Sequence, residues 1–434
     1  MKILIYISIL LSTLTSSTLD LYGTGARHHN INAMGLGLGE TFYFSDNLNN
    51  ISTSSIATYW KSNLTRVSLS NNFSNNINGY SNANIGISSF SFSFPISKYN
   101  GVSFGLVPYT RSDIMIEEID GYFIGAEASD FINVVNSSSN YQVSGGISSA
   151  YFAFSTKINN NNSLGFKIDR LFGNQFYTKK TIISDLDYSS NSDITYSEQD
   201  STYKIVFNEF SGYSFQMDWF IELYNHELAF SMTSMGPINV NQRIFIDEYS
   251  LNPLQFLHIE SGDDLVQRVP ENSYYIEDDI DANAFIKNML NRINDYAIGY
   301  HYNGDAKGFI LEYHKNDLFN NISLDNVNIF NYRKPSITSY HIGFHRMYLN
   351  KKNTFWDALC LRMGAYYKEF LFSDLKGNDF AITMGIGIDN DSNLIDFGVK
   401  FGRLSINPFE DEDYIDAILT IEIGNRWFTN SRSK

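Results

Sequence analysis

Many segments of the chain alternate between apolar and polar residues, which is the pattern of a β-strand with one apolar face. In the stretch IDFGVKFG, every second residue from Ile395 to Phe401 is apolar, and Asp396 and Lys400 lie between them. Counting such segments predicts about fourteen strands, an even number in the range of single-chain bacterial barrels. The fold class predicted is therefore all-β: a transmembrane antiparallel β-barrel whose apolar faces contact lipid and whose polar faces line the lumen.

The connections between the predicted strands alternate in length. Short turns rich in Asn, Gly, Asp and Lys lie at residues 97–100, 159–162, 224–227, 303–307, 350–353 and 389–392. The connections between them are predicted to be longer, at roughly 117–140, 179–200, 249–293 and 318–336. Long loops at one end and short turns at the other are typical of outer-membrane barrels. A soluble β-sandwich stays open as the alternative, because the pattern of any single strand is weak.

The four tryptophans agree with this topology. Tryptophan favours the interface between membrane and water. If the short turns are periplasmic, all four side chains fall in an aromatic girdle at the periplasmic rim: one begins the first strand, two flank short turns, and one ends the last strand. These residues are Trp60, Trp219, Trp356 and Trp427.

Composition excludes nucleic acid as a partner. Acidic residues outnumber basic ones by 47 to 31, so the formal net charge is -16 and a phosphate backbone would be repelled. Aromatic residues make up 15 % of the chain, and 29 glycines against 7 prolines favour many strands with open turns. The single cysteine, Cys360, has no partner for an internal disulfide and is predicted to pack as a small apolar residue.

The N-terminus has the pattern of a signal peptide, which we predict to span residues 1–17. Lys2 precedes an apolar run from Ile3 to Leu14, and small residues follow. A membrane anchor helix is the weaker reading, because a span requires about 20 apolar residues. No other segment approaches that length, so the strands are the predicted membrane-spanning elements.

Several short motifs resemble the FadL/TodX-type outer-membrane transport proteins. The block GTGARHHNINAMGLGLGETFYFSDNLNN is similar to the N-terminal plug of that family, and its matching positions include Arg27, Met34, Gly35 and Asp46. FGLVPYTRSDI resembles the third strand, LGFKIDRLFG resembles the fifth, and IGNRWF resembles the closing strand of a Bacteroidetes-like branch. The Asn-Pro-Ala-Leu motif that usually leads into the first strand is absent, and TSSIATYW stands in its place.

This resemblance implies a domain order and a function. We expect a plug at 18–56, a barrel at 57–428 of about fourteen strands and a short periplasmic tail at 429–434. The implied protein is a monomer of the outer membrane of a Gram-negative-type bacterium. It passes hydrophobic small molecules such as long-chain fatty acids or hydrocarbons by diffusion, without enzymatic activity or cofactor. Its partners would be that ligand, outer-membrane lipid and the barrel-assembly machinery.

Two other functions remain open. The first is a non-transporting barrel of the same superfamily that acts as a scaffold for a secretion or surface-assembly machine. The second is a membrane-embedded hydrolase, which would require a serine and a histidine brought together by folding.

Pro108 is the strongest candidate for a functional position. Proline has no N–H for the ladder between strands, and a closed barrel has no edge on which to place it. The resemblance implies a lateral opening beside a kinked third strand, so we predict a gate shaped by Gly105 and Pro108 with Phe104, Leu106 and Tyr109 around it. The alternative is a proline at the loop rim without a role in transport.

The remaining polar motifs give weaker signals. His341 and His345 share a face but lie about 13 Å apart along one strand, so they do not form a metal site alone. The glycines of GLGLG at 35–39 are expected to let the plug pack closely in the lumen. Charged residues in lumen phase are expected to pair across strands: Glu312, Arg362, Lys368, Asp396, Lys400, Asp416, Glu422 and Arg426. Residues 281–295 have loosely helical spacing and predict a short loop helix.

Overall fold

The structure is a computed structural model in which one antiparallel sheet closes on itself as a fourteen-stranded barrel. It describes residues 26–27, 32–44, 55–76, 84–125, 132–188, 194–236, 238–247, 293–304, 307–316, 336–346, 359–371, 376–390, 393–406 and 411–425. The sheet contains 17 strand segments. A two-residue segment, Ala26–Arg27, adds to the edge of one wall strand, and two wall strands consist of two segments each, which leaves 14 strands in the wall.

We number the wall strands in chain order. They are β1 (Thr65–Asn76), β2 (Asn84–Pro95), β3 (segments Asn100–Pro108 and Thr110–Gly125), β4 (Ile132–Lys157), β5 (Asn162–Tyr188), β6 (Ile194–Leu223), β7 (segments His226–Met235 and Asn239–Asp247), β8 (Ile293–Asn303), β9 (Lys307–Asn316), β10 (Ser336–Arg346), β11 (Leu359–Leu371), β12 (Lys376–Asn390), β13 (Asn393–Ile406) and β14 (Glu412–Asn425).

Each strand pairs with its sequence neighbours, and the last strand pairs with the first. The closing ladder runs from Tyr414–Asn76 to Asn425–Thr65, so β14 and β1 are joined along most of their length. Closure matters because a strand edge exposed to hydrocarbon leaves backbone N–H and C=O groups without partners. The prediction of a fourteen-stranded barrel of the outer-membrane type is confirmed.

The two faces of the wall are those that the alternation predicts. On β13, Ile395, Phe397 and Phe401 are between 44 and 49 % exposed, whereas Asp396 is 0 % exposed and faces the lumen. On β10, Tyr340, Ile342 and Phe344 point outward in the same way. In a soluble sandwich these apolar side chains would form the core, so the alternative of a soluble fold is wrong.

Three neighbouring strands are far longer than a membrane requires. β4, β5 and β6 have 26, 27 and 30 residues, against the roughly 9 to 11 that cross the hydrocarbon layer. The predicted long connections at 117–140 and 179–200 are therefore wrong, because most of those residues lie in strands. Beyond the membrane the outer face of a sheet meets water and need not be apolar, so the regular apolar alternation that identifies a membrane strand is lost.

The extended sheet bends and covers the mouth of the barrel. Gly145, Gly146 and Gly173 have φ values of 103°, 144° and 149°, which other residues rarely adopt. β3 is interrupted at the same level, where Tyr109 donates a hydrogen bond to Ile147. Above this bend, three side chains of the extended sheet form one buried apolar cluster with three from the opposite wall: Val143, Tyr177 and Val206 with Phe370, Leu404 and Ile406.

Two helical pieces precede the wall and lie inside it. α1 spans Ala33–Gly37, with Asn32 as its N-cap, and a 3-10 helix spans Ile56–Lys61. The prediction that Trp60 begins the first strand is wrong, since Trp60 lies in the 3-10 helix and β1 begins at Thr65. Of the predicted loop helix, residues 293–295 belong to β8, and the rest lies outside the described residues. None of the helices in the described ranges is long and apolar enough to cross a membrane.

The assignment of the lipid face predicts a depth-dependent cost. Replacing Val399, in the middle of β13, by arginine is expected to destabilise the barrel by about 2 to 4 kcal/mol, because the charge meets hydrocarbon. Asn393→Arg, beside the turn on the same strand, is the control and should cost about 0 to 1 kcal/mol. Folding titrations in lipid vesicles measure both values, and equal costs would mean that the depth or the face is misassigned.

Candidate functional site

The wall is interrupted between β2 and β3. The ladder between these strands runs from Pro95–Gly101 to Phe90–Leu106 and ends there. On its other side β3 continues to pair with β4, up to Pro108–Ser148 and again from Ser112–Gly145. The described residues of β3 beyond Leu106 are thus joined to β4 and no longer to β2.

Pro108 explains why the ladder ends where it does. Consecutive residues of a strand direct their hydrogen-bonding groups to opposite neighbours. The Tyr109 N–H donates to the Ile147 carbonyl of β4 at 2.7 Å, so the nitrogen of residue 108 faces β2. Proline has no hydrogen on that nitrogen. Ser88, the residue of β2 that would lie opposite Pro108 if the register continued, is also skipped by the ladder with β1.

The predicted gate residues lie on both sides of the wall at this point. Phe104 and Leu106 are 44 and 52 % exposed on the lipid face. Gly105 is buried, and a Cβ there would lie 2.2 Å from the Phe90 carbonyl oxygen and 2.8 Å from the Tyr151 ring. Tyr109 points the other way, into a buried apolar cluster on the lumen side of β3 to β7. The structure therefore brings Phe104 and Leu106 together outside and places Tyr109 inside.

The N-terminal part of the chain enters this interruption. Ala26 and Arg27 pair with Arg111 and Thr110, on the edge of β3 that faces β2. Arg111 itself reaches across to β2, because a Cβ on Gly86 would lie 2.3 Å from its Nη1 atom. The gap between the strands is thus occupied by one short added strand and one guanidinium group.

A buried stretch of chain, residues 32–44, lies against the inner wall, and we call it the lumen segment. Its backbone binds wall side chains: the Ala33 N–H donates to Thr420 and the Gly39 N–H donates to Thr383, each at 2.9 Å. The N–H groups of Phe42 and Tyr43 donate to the Glu312 carboxylate at 2.9 and 3.0 Å. These bonds reach strands from β9 to β14, so the segment crosses the lumen.

Glycines on the wall allow the lumen segment to approach very closely. A Cβ on Gly364 would lie 2.3 Å from the Gly39 nitrogen, and one on Gly343 would lie 2.5 Å from the Leu38 carbonyl oxygen. Gly39 has a φ of 81° and touches the backbone of β10 and β11 in turn. The expectation that the glycines of GLGLG serve close packing is confirmed for Gly37 and Gly39, where a Cβ would lie 2.8 Å from Gly385 and 2.4 Å from the Ile342 carbonyl oxygen.

Glu40 joins the lumen segment to two lysines. Its carboxylate accepts hydrogen bonds from Lys368 at 2.5 Å and from Lys400 at 2.6 Å, and Lys400 also pairs with Asp416. Burial alone would raise the pKa of Glu40, but the two ammonium groups outweigh it and hold the pKa well below its usual range. The ion bridge is present above the ordinary carboxyl pKa of about 4.3 and is lost only as pH falls through the depressed pKa. Acidification from neutral pH to about 5 therefore leaves it intact.

Two further pairs of lumen charges form across strands as the sequence predicts, whereas Glu312 binds the lumen segment and His314 of its own strand. Arg362 donates to Asp396 at 2.7 Å, and Arg66 lies 3.4 Å from Glu422. Arg426 lies outside the described residues. In the part of the chain that the structure describes, no group of three or more histidine, cysteine or acidic side chains is placed to hold a metal ion.

The predicted plug and girdle residues are placed only in part. Met34 is 1 % exposed and Gly35 donates to the Asn32 side chain within α1, whereas Asp46 lies outside the described residues. Trp219 is exposed beside a short turn and donates to Asn162 at 3.2 Å. Trp356 and Trp427 also lie outside the described residues. Sequence analysis missed a contact that holds the 3-10 helix against the inner wall, in which the Ile56 N–H donates to Asp218 at 3.0 Å.

The glycine contacts predict a selective effect on the lumen segment. Gly364→Ala is expected to displace residues 33–39 while β11 still pairs, because the new methyl group would overlap the backbone of Gly39. Gly377→Ala is the control, since its Cβ would meet the Ile406 side chain at 2.9 Å and the Ser405 carbonyl oxygen at 3.0 Å but not the lumen segment. Amide hydrogen exchange should show lost protection at 33–39 in the first variant only. Equal protection in both variants would contradict the close packing.

Comparison with solved structures relates this barrel to outer-membrane channels. A monoaromatic hydrocarbon channel, CymD, is 10 % identical, and the match covers 91 % of this chain and 97 % of the channel with a TM-score of 0.54. A Pseudomonas aeruginosa FadL homologue is also 10 % identical, with 91 % and 98 % coverage and a TM-score of 0.54. At such low identity these likenesses establish the fold alone.

Comparison of sequences gives the family. No curated protein matches the chain. The model of the BamG family matches it over residues 1–434. Because this match extends over the whole sequence, the chain belongs to the BamG family.

Proposed function

We propose that the barrel is a passive outer-membrane channel for hydrophobic small molecules, which leave it sideways through the wall between β2 and β3. The observation that carries this proposal is the end of the β2–β3 ladder at Leu106, beside a proline whose nitrogen faces the missing bonds. Elsewhere a closed wall bars sideways movement, because parting two strands in hydrocarbon would break a row of hydrogen bonds. At this place β2 and β3 are not paired, and only the two-residue segment Ala26–Arg27 is added to the edge of β3.

The filling of the lumen supports a sideways route. The lumen segment is held by hydrogen bonds to Thr420, Thr383 and Glu312 and by the ion bridge of Glu40, so it acts as a plug that blocks straight passage. Cargo that enters from the extracellular side then has to turn toward the membrane. We place the plug within residues 18–56 and the gate at Gly105 and Pro108.

The surroundings of the gap suit an apolar cargo. On the lumen side, Tyr109 belongs to a buried cluster with Ile147, Leu171 and Phe210. On the lipid side, Phe104 and Leu106 are exposed to the acyl chains. A hydrocarbon or the tail of a long-chain fatty acid would pass between two apolar surfaces, driven by its partition into the membrane. The proposal includes no catalytic step and no cofactor, and it describes a monomer.

Pro108→Val tests the gate. Valine restores an N–H that faces β2, so the ladder is expected to extend past Leu106 and uptake of a radiolabelled long-chain fatty acid by whole cells should fall severalfold. The abundance of folded, heat-modifiable barrel should stay unchanged. Pro95→Val is the matched control, because Pro95 lies at the turn end of the same ladder and its replacement leaves the gap as it is. Normal uptake by cells with the Pro108→Val variant would contradict the proposed lateral route.

A second function is favoured by the family name and by the filled lumen. The name BamG hints at an assembly-related role, and the apolar cluster of Val143 and Tyr177 with Leu404 closes the mouth above the lumen segment. On this alternative the protein is a scaffold in a surface-assembly machine and passes no cargo.

Depletion of the protein separates the two functions. A channel predicts that cells lose uptake of the labelled fatty acid while other outer-membrane barrels keep their abundance. A scaffold predicts the reverse, with normal uptake and a severalfold fall of other barrels in quantitative proteomics. Re-expression of the Pro108→Val variant is the control, since it should restore barrel abundance under the scaffold and leave uptake impaired under the channel.

A further inference from the structure

Two serine hydroxyl groups lie next to each other on the lumen side of β2, at the level where the ladder with β3 has ended. The ladder between β1 and β2 skips Ser88, which makes this residue a β-bulge. On either side of the pair, Ile87 and Phe90 are 60 and 39 % exposed on the outer face. Ser88 and Ser89 are only 9 and 0 % exposed. The bulge therefore directs two consecutive side chains away from the lipid.

Neither of these two hydroxyl groups has a hydrogen-bond partner among the described residues. The serines nearer the turn between β2 and β3 do have one. Ser103 Oγ lies 3.2 Å from the Tyr151 hydroxyl, which also bonds Ser91. A buried hydroxyl group without a partner destabilises a fold. Two such groups side by side therefore indicate a place that receives a hydrogen-bonding group from outside the chain.

The two serines lie at the interruption of the wall. Continued past its last pair, the register between β2 and β3 would place Ser88 opposite Pro108. Ser89 is its neighbour, one residue closer to the end of the ladder. The added segment Ala26–Arg27 pairs with β3 only beyond Pro108. A molecule that crosses the wall between the ladder and this segment passes the two hydroxyl groups.

Other buried serines show that the position matters. Ser155 and Ser163 also have hydroxyl groups without a hydrogen-bond partner among the described residues. Both lie toward the short-turn end of the wall, where their strands pair with a neighbour on each side. A molecule that leaves through the gap does not meet them.

The charge at the gap favours a group that accepts hydrogen bonds. Gly86 precedes Ser88 by two residues, and a Cβ there would lie 2.3 Å from Arg111 Nη1, so a guanidinium group lies over the same strand. The Asp169 carboxylate belongs to β5 and already accepts hydrogen bonds from two serines of β4 and β6. Hydroxyl donors beside a positive charge suit the oxygen atoms of a polar head group.

We propose that Ser88 and Ser89 bind the oxygen-bearing head group of an amphiphilic cargo, such as a fatty acid, and thereby select it over a plain hydrocarbon. This inference rests on the proposed lateral route and names the class of molecule that takes it. Water supplies hydrogen bonds to the two hydroxyl groups until cargo displaces it. A head-group oxygen replaces those bonds, whereas a hydrocarbon leaves both hydroxyl groups unpaired. Passage of the hydrocarbon is therefore disfavoured.

The double variant Ser88→Ala, Ser89→Ala tests this selection. Cells that lack the native protein express the variant, and the initial uptake of radiolabelled hexadecanoic acid and hexadecane is measured. Uptake by cells without any barrel is subtracted from both values. The ratio of acid uptake to hydrocarbon uptake should fall about fivefold or more, because one lost hydrogen bond contributes a factor of about five. Uptake of hexadecane should not fall, since the path becomes less polar.

Ser155→Ala is the matched control, because Ser155 is buried in the same way but lies away from the gap. Its uptake ratio should equal that of the wild type. An unchanged ratio in the double variant would overturn the selection and leave the channel in place. If the wild-type barrel adds no uptake of either compound, the proposed function itself fails, and the head-group site fails with it.

The abundance of the heat-modifiable barrel is measured for every variant. If the double variant does not assemble, the single variants Ser88→Ala and Ser89→Ala replace it. Each should lower the ratio of acid uptake to hydrocarbon uptake severalfold, because each removes one donor from the site. Unchanged ratios in both single variants would overturn the proposal.

Discussion

The requirement that a membrane wall satisfy its own backbone hydrogen bonds governs this structure. Hydrocarbon offers no replacement partner, so the sheet must close, and the ladder between β14 and β1 achieves this. The ladder between β2 and β3 is an exception to this requirement, because it ends before the strands do. At Pro108 the donor that would continue the β2–β3 ladder does not exist, and beyond Leu106 β3 pairs with β4 on one edge and with the short segment Ala26–Arg27 on the other. A covalent property of one residue thus decides where the ladder between two wall strands ends.

The lumen follows a different constraint, which is close packing of backbone on backbone. Gly39 and Gly364 touch because neither carries a side chain, and Glu40 brings a carboxylate to two wall lysines that would otherwise be less well compensated. Contacts of this kind fix the position of a segment more strictly than apolar packing does. They explain why the lumen segment lies fixed against the inner wall, from β9 to β14.

Sequence reasoning succeeded where the physical signal is local. The alternation around Phe397 and Asp396 predicted both faces of β13. The missing N–H of Pro108 predicted an interruption of the hydrogen-bond ladder, which the structure shows. Sequence reasoning failed where a segment lies outside the lipid layer or inside the barrel, because the alternation of apolar and polar residues no longer identifies a membrane strand there. The polar stretches of β4 and β5 beyond the membrane were predicted to be loops, because the outer face of that sheet no longer contacts lipid and need not be apolar. Trp60 was predicted to begin a strand, but it belongs to a 3-10 helix that packs inside the wall.

The sequence by itself determined the period of the strands, the face that meets lipid, the pairing character of the lumen charges and the position of the missing donor. Each of these follows from the order of neighbouring residues or from the covalent structure of one of them. Only the tertiary structure decided which distant groups meet. The Nε2 atoms of His301 and His345 lie 2.8 Å apart, and Glu40 reaches Lys368 across 328 positions of sequence, because barrel closure brings separate strands to one lumen. No local sequence pattern predicts such contacts, since they depend on the register of every strand between the two residues.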